Sequence, residues 1–284
     1  MENSTILIVI GKDTSLGDLA KNLEAIRAIP AHAAVLIVGE APPFPYYALG
    51  INSYGTAVMP NEWLEAVSEN RKVLEAKEVE VQRLLQQHDV SGDVLIVSGE
   101  PSVLADAIAR RAMLCDMAFV GDDLREPDTL FRQVIYGILF QSPIGVMLND
   151  HHAEALRAPK KVFIAWNTHR HSARAVHQAL PLLCQADEVI IATIDPVMTE
   201  FRDGEDPGVD VAKWLTHHGC KVELQQNPSG GQDIGHCILD RSKEYGADLI
   251  VMGAYGHSRM HEAFFGGTTR TLIEQTEQAV FLAH

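Results

Sequence analysis

The stretch ADLIVMGAYGHSRMHEAFFGGTTR, Ala247 to Arg270, decides the fold. Leu249–Met252 is a continuous apolar run of the kind a buried strand needs. Glycines follow at Gly253, Gly256, Gly266 and Gly267. After a strand, glycines either turn the chain or let the backbone approach a ligand closely. The rest of the chain helps to separate these possibilities, because part of the stretch recurs. CDMAFVGDD (Cys115–Asp123) overlays ADLIVMGAY, with Asp116 on Asp248 and Gly121 on Gly253. HAAVLIVGEAP (His32–Pro42) overlays ADEVIIATIDP (Ala186–Pro196) without a gap, and ILIVIGKD (Ile6–Asp13) overlays KKVFIAWN (Lys160–Asn167). The chain is written twice, over 1–150 and 158–284, and the polar segment NDHHAEALRAPK joins the copies.

Each copy alternates short apolar runs with helical patterns. The first predicts strands at Thr5–Ile10, Ala33–Val38, Asp93–Val97, Met117–Val120 and Ile144–Leu148. The second predicts them at Lys161–Ala165, Glu188–Thr193, Lys221–Leu224, Leu249–Met252 and Ala279–Leu282. A long helix is expected over Asn61–His88, where Val67, Leu74, Val81 and His88 recur in heptad spacing beside Leu64, Leu84 and Leu85. Continuous apolar strands alternating with helices imply an α/β fold: two tandem, open, parallel five-stranded sheets, Rossmann-like, with helices on both faces. The last strands of the two copies, PIGVML and AVFLAH, are apolar sheet edges expected to pack together about a pseudo-two-fold axis. Ligands of such sheets sit beyond the C-terminal strand ends, which is where Gly253 falls.

Composition narrows the function. The formal net charge of −15 over 284 residues disfavours nucleic acid and anionic membranes as partners. It also requires any bound phosphate to be held by local groups. No apolar run is long enough to span a bilayer, and MENSTILIVIGKD lacks the basic start of a signal peptide. Cys115, Cys184, Cys220 and Cys237 form no close pair in sequence, which suggests reduced, buried thiols in a cytoplasmic protein.

The C-terminal motif of Gly253, Gly256 and Gly266 after an apolar strand resembles the signature of the universal stress proteins, and the whole chain resembles a tandem of two such domains. The resemblance implies an adenine nucleotide alpha hydrolase-like fold and a cytoplasmic, homodimeric stress-response protein. It implies ATP or another adenine nucleotide in the second half. Carried over by position, Gly253, Gly256, Gly266 and Gly267 would wrap the phosphates, with Gly267 where the family usually has Ser or Thr and Thr269 at a further hydroxyl position. Asn167 stands where an Asp normally contacts ribose or adenine, and Ile194 where a residue lines the adenine. The residues themselves agree in part: GGTTRTLIEQ reads as a helix start, where Thr268 and unpaired N–H groups suit an anion and Arg270 adds charge. The first copy has Asp122, Asp123 and Leu124 after Gly121, with Glu40 opposite Ile194 and Asp13 opposite Asn167. Its carboxylates would repel a phosphate.

Other motifs have simpler explanations. SGGQD (Ser229–Asp233) resembles a loop of ATP pyrophosphatases, but it follows a third strand and Ile234 replaces the final Ser. A helix start capped by Asp233 or Ser229 accounts for it. His257 and His261 lack the glutamate of a zinc-protease motif, and His217–His218 suit a helix end beside Gly219. His151–His152 fall in the linker, and WNTHRHS reads as a loop entering a helix. No nucleophile, base and orienter assemble, so no catalytic or metal residues are assigned and any ATP hydrolysis is expected to be slow. Two alternatives stay open: a scaffold of the same family that has lost its nucleotide, and an ATP-using enzyme built on SGGQD.

Overall fold

The computed structural model describes residues 4–29, 31–46, 50–51, 57–126, 128–255 and 267–284. The first half runs β1 (Thr5–Ile10), α1 (Leu16–Ala28), β2 (His32–Glu40), β3 (Gly50–Ile51), β4 (Ala57–Val58), α2 (Asn61–Gln87), β5 (Gly92–Gly99), α3 (Pro101–Ala112), β6 (Met117–Val120), α4 (Asp128–Gln141) and β7 (Gly145–Leu148). A single turn, α5 (Glu154–Arg157), lies in the linker. The second half runs β8 (Lys161–Ala165), α6 (Arg170–Leu183), β9 (Glu188–Ile194), α7 (Val209–His217), β10 (Val222–Asn227), α8 (Ile234–Glu244), β11 (Leu249–Gly253), α9 (Gly267–Glu274) and β12 (Ala279–Ala283). All ten expected strands form. The small antiparallel ribbon of β3 and β4 was not foreseen.

The two halves do not make two sheets. They make one ten-stranded sheet, ordered β10-β9-β8-β11-β12-β7-β6-β1-β2-β5. Its strand pairs are parallel except at the centre, where β12 runs antiparallel to β7 with Phe281 opposite Met147. The last strands therefore meet as expected, but by backbone pairing, which satisfies both edges and fuses the sheets. Alternate residues feed two cores that cross this seam. Ile6, Ile8, Val162, Ile164, Met147 and Phe281 face α1, α2, α6 and α7. Leu7, Val9, Phe163, Val146, Val280 and Leu282 face α3, α4, α8 and α9.

Local chemistry sets the helix limits. Ser15 accepts from Asp18 N–H at the start of α1, and Asp233 accepts from Gly235 and His236 N–H at the start of α8. The α2 stripe is buried at Leu74, Val81, Leu84 and Leu85, but Leu64 is exposed and Val67 only half-buried, because the first turns overhang the sheet. The linker is not a loose tether: Ala153, Ala155 and Leu156 are buried. Arg125 adds a clasp between the halves. It donates to the carbonyl of Ile273 (2.9 Å) at the C-terminal turn of α9, and lies 4.6 Å over the Phe131 ring. Asn149 donates to the Gln275 carbonyl (2.9 Å), and His151 bonds the Thr276 carbonyl (2.8 Å). Among the described residues no helix is long and apolar enough to cross a membrane.

Candidate functional site

In the second half the strand order reverses between β8 and β11, leaving a crevice at their C-terminal ends. A cavity of about 410 Å³ occupies it, within the range of small-ligand sites. Its apolar walls come from Trp166, Ile194, Ile234, Ile238 and Met252, and its polar edge from Asn167, Ser172 and Thr268. Gly267 opens α9 in the same wall, so the unpaired N–H groups of a helix start border the cavity. The described lining residues are all uncharged, so among them only backbone and side-chain dipoles can attract an anion.

The structure brings together Asn167, Ile194, Gly253, Gly267, Thr268 and Thr269. Gly256 and Gly266 lie outside the described residues, as do His257 and His261. Within this set the expected roles divide. Asn167 Oδ1 accepts from Ser172 Oγ at 2.6 Å, so its carbonyl is already engaged. A Cβ on Gly253 would fall 2.5 Å from the His171 carbonyl carbon and the Ser172 nitrogen. Glycine is thus required there by the close approach of α6, whatever the cavity holds. A Cβ on Gly267 would meet none of the described residues within 4 Å. The Thr269 side chain faces inward and accepts from Tyr255 N–H (2.9 Å), which makes it a strut. Arg270 pairs with Glu274 (2.7 Å) on the exposed side of α9 and does not charge the cavity as expected.

Sequence reasoning missed Trp166, Tyr255, Ile234 and Ile238 in the lining. Ile234 and Ile238 are one turn apart at the start of α8, and that spacing was the available signal. The SGGQD loop is a turn with Gly230 and Gly231 at positive φ (63° and 86°). Asp195, itself at φ 44°, ties it to β9 by accepting from Ser229 N–H (3.1 Å). The Ser229 hydroxyl first, and then this N–H, hold the Asp195 carboxyl below its usual range. Behind the cavity, His171 is buried and stacks on His284 (4.1 Å between ring centroids) and on His169 (4.9 Å). Burial first, then the neighbouring histidines and Arg170 and Arg174, push His171 down to about 4.

The corresponding crevice of the first half is filled by its own chain. After β6, a 3-10 turn over Asp122–Arg125 folds back, and Asp123 Oδ2 accepts from Gly11 N–H at 3.1 Å while Thr14 donates to its Oδ1 at 2.5 Å. Burial raises the Asp123 carboxyl above its ordinary value, and Leu124 is buried beside it. The ladders also correct the overlay of the halves. Thr5 pairs with His32 and Lys161 with Glu188, so Gly11 and Val38, not Asp13 and Glu40, hold the ladder positions of Asn167 and Ile194. Glu40 instead accepts from Thr129 Oγ1 at the start of α4 (2.9 Å). A second cavity of about 460 Å³ lies on the α1 side, where Asp13, Asp18, Asp122 and Asp150 give it the wrong charge for a phosphate. Among the described residues no group of histidine, cysteine or acidic side chains could hold a metal ion.

Residues 159–284 match the model of the universal stress protein family. The chain has no match among curated proteins. It is similar in fold to a universal stress protein from Archaeoglobus fulgidus DSM 4304, with a TM-score of 0.69 at 17% identity over 99% of this chain and 96% of that one. It is also similar to a putative universal stress protein from Pseudomonas aeruginosa UCBPP-PA14, with a TM-score of 0.58 at 14% identity over 99% and 93%. Identities this low speak for the fold alone.

Proposed function

We propose that the chain, whose residues 159–284 match the universal stress protein family and whose preceding half repeats the same architecture within one sheet, is a stress-response module that binds ATP in its C-terminal half. The observation that carries this is the uncharged cavity at the switch point, walled by Trp166, Ile194, Ile238 and Met252 and bordered by the start of α9. The apolar walls suit an adenine ring. Asn167, through its amide N–H, and Ser172 suit a ribose, and the N–H groups around Gly267 suit phosphates. Gly256 and Gly266 would complete the phosphate cradle. The first half, plugged by Asp123, has no part in binding.

We place the module in the cytoplasm and expect it to turn ATP over slowly, since no carboxylate, histidine or cysteine stands among the described lining residues to activate a nucleophile. A homodimer would use a surface other than β7 and β12, which already pair with each other. A second reading is a scaffold that no longer holds nucleotide. It is favoured by the prior engagement of Asn167 Oδ1 and of Thr269. The enzyme built on SGGQD has little support, because that segment is a turn and a helix cap. Purified protein should be denatured and the supernatant assayed for adenine nucleotide, then the native chain titrated with ATP. Release or saturable binding supports the proposal, and absence of both favours the scaffold.

A further inference from the structure

Cys184 and Cys220 stand 36 positions apart in the chain, yet their sulfurs approach to 3.9 Å. Cys184 caps the C-terminus of α6 and is exposed. Cys220 follows Gly219, whose φ of 86° turns the chain into β10, and is buried. This corrects the expectation of four buried thiols. Both residues precede their strands, β9 and β10, so they lie at the end of the sheet opposite the cavity. The other two cysteines, Cys115 and Cys237, are buried.

We propose that Cys184 and Cys220 form a redox-modification site, at which hydrogen peroxide oxidises the exposed thiol and the buried one resolves it as an intrachain disulfide. In the first step the Cys184 thiolate attacks one peroxide oxygen. The O–O bond breaks, hydroxide leaves and takes up a proton as water, and Cys184 becomes a sulfenic acid. In the second step Cys220 gives up its proton and its sulfur attacks the Cys184 sulfur. The S–O bond breaks and a second water leaves. Two thiols and one peroxide become one disulfide and two waters.

The geometry assigns the order. Only Cys184 is open to an oxidant in solution. Burial, then the adjacent Cys184 sulfur, push the Cys220 thiol up to about 12, so it stays protonated and inert toward peroxide. A sulfenic acid on Cys184 would form in contact with it. Roughly 2 Å of further approach is needed to reach a disulfide bond of ~2.05 Å, and rotation of the exposed Cys184 side chain can supply it. Besides its contact with Cys220, that side chain makes a long contact with the His218 carbonyl, 3.5 Å away. The bond would tie the end of α6 to the start of β10, enclosing β9 and α7.

The site is tested on the full chain with a few equivalents of hydrogen peroxide, alkylation, and mass spectrometry of a non-reduced digest. Titratable thiols should fall from the four present by one pair, with a single cross-linked peptide joining Cys184 to Cys220 that dithiothreitol releases. Cys184→Ala should leave Cys220 reduced at the same dose. Cys220→Ala should let the Cys184 sulfenic acid persist, trapped by dimedone. If Cys220→Ala fails to fold, the wild-type digest and Cys184→Ala decide alone. Progress of Cys184 to sulfinic acid, or to a bond between chains, while Cys220 remains alkylatable would overturn the proposal. None of these outcomes depends on whether the cavity holds ATP.

Discussion

The backbone N–H of Tyr255 donates to the hydroxyl of Thr269 across 2.9 Å. The end of β11 and the first turn of α9 are thereby tied on either side of the glycine-rich segment. The hydroxyl that resembled a phosphate ligand holds the frame of the cavity. Thr269→Val keeps the shape but leaves the Tyr255 N–H without that acceptor, and should cost about 1–2 kcal/mol in urea denaturation. An unchanged midpoint would show that the strut is dispensable.

Gly253 and Gly267 look alike in the sequence and should behave in opposite ways. Gly253→Ala drives a Cβ into the backbone of His171 and Ser172, and overpacking of this kind costs roughly 1–3 kcal/mol. Gly267→Ser meets none of the described residues at a helix start, so stability should change by less than about 0.5 kcal/mol. It should also tighten ATP binding by supplying a hydroxyl. Thermal denaturation of the two variants, with ATP titration of the second, checks both.

Acid should weaken the fold through His171. Its folded value of about 4 lies below the ordinary imidazole value of 6.5. Between these values the unfolded chain carries a proton that the folded chain refuses, so stability rises with pH. The contribution is complete above about 6.5 and is lost as pH falls toward 4. It amounts to something on the order of 1–3 kcal/mol. His284 is shifted the same way by burial, whereas the Thr276 carbonyl and Asp122 raise His151, which acts in the opposite sense. Comparing wild type with His171→Gln across pH 4.5–7 isolates the term: the variant should show the shallower slope.

The clasp of Arg125 on Ile273 couples the plugged half to α9. Arg125→Met removes a charged donor from buried carbonyls and should destabilise by about 2–3 kcal/mol. Amide exchange in α9 should accelerate more than in α8, as hydrogen-exchange mass spectrometry would reveal.

The strands were legible because buried parallel strands are written as continuous apolar runs, and the duplication was legible because those runs recur. The fusion into one sheet was half legible. Apolar last strands announced contact, but the Phe281–Met147 pairing is a relation between segments far apart in sequence. Two residues counted as nucleotide ligands, Gly253 and Thr269, have structural work that depends on what packs against them: the α6 backbone and the Tyr255 N–H. The Asp123 plug was hidden for a related reason. Its charge was evident, but its partner Gly11 is brought to it only by the β1–β6 pairing. Trp166 and Ile238 were missed because apolar lining residues carry the same pattern as core.

The central claim is that ATP sits with its phosphates at the start of α9, and Thr268→Asp tests it most directly. A carboxylate in the first turn of a helix favours the helix dipole, so the fold should keep its stability. The same carboxylate would face the phosphates. Calorimetric titration should show saturable ATP binding by the wild-type chain and at least a tenfold weaker Kd for the variant at an unchanged Tm. Equal affinity in the two proteins, or no binding by the wild type, would contradict the account.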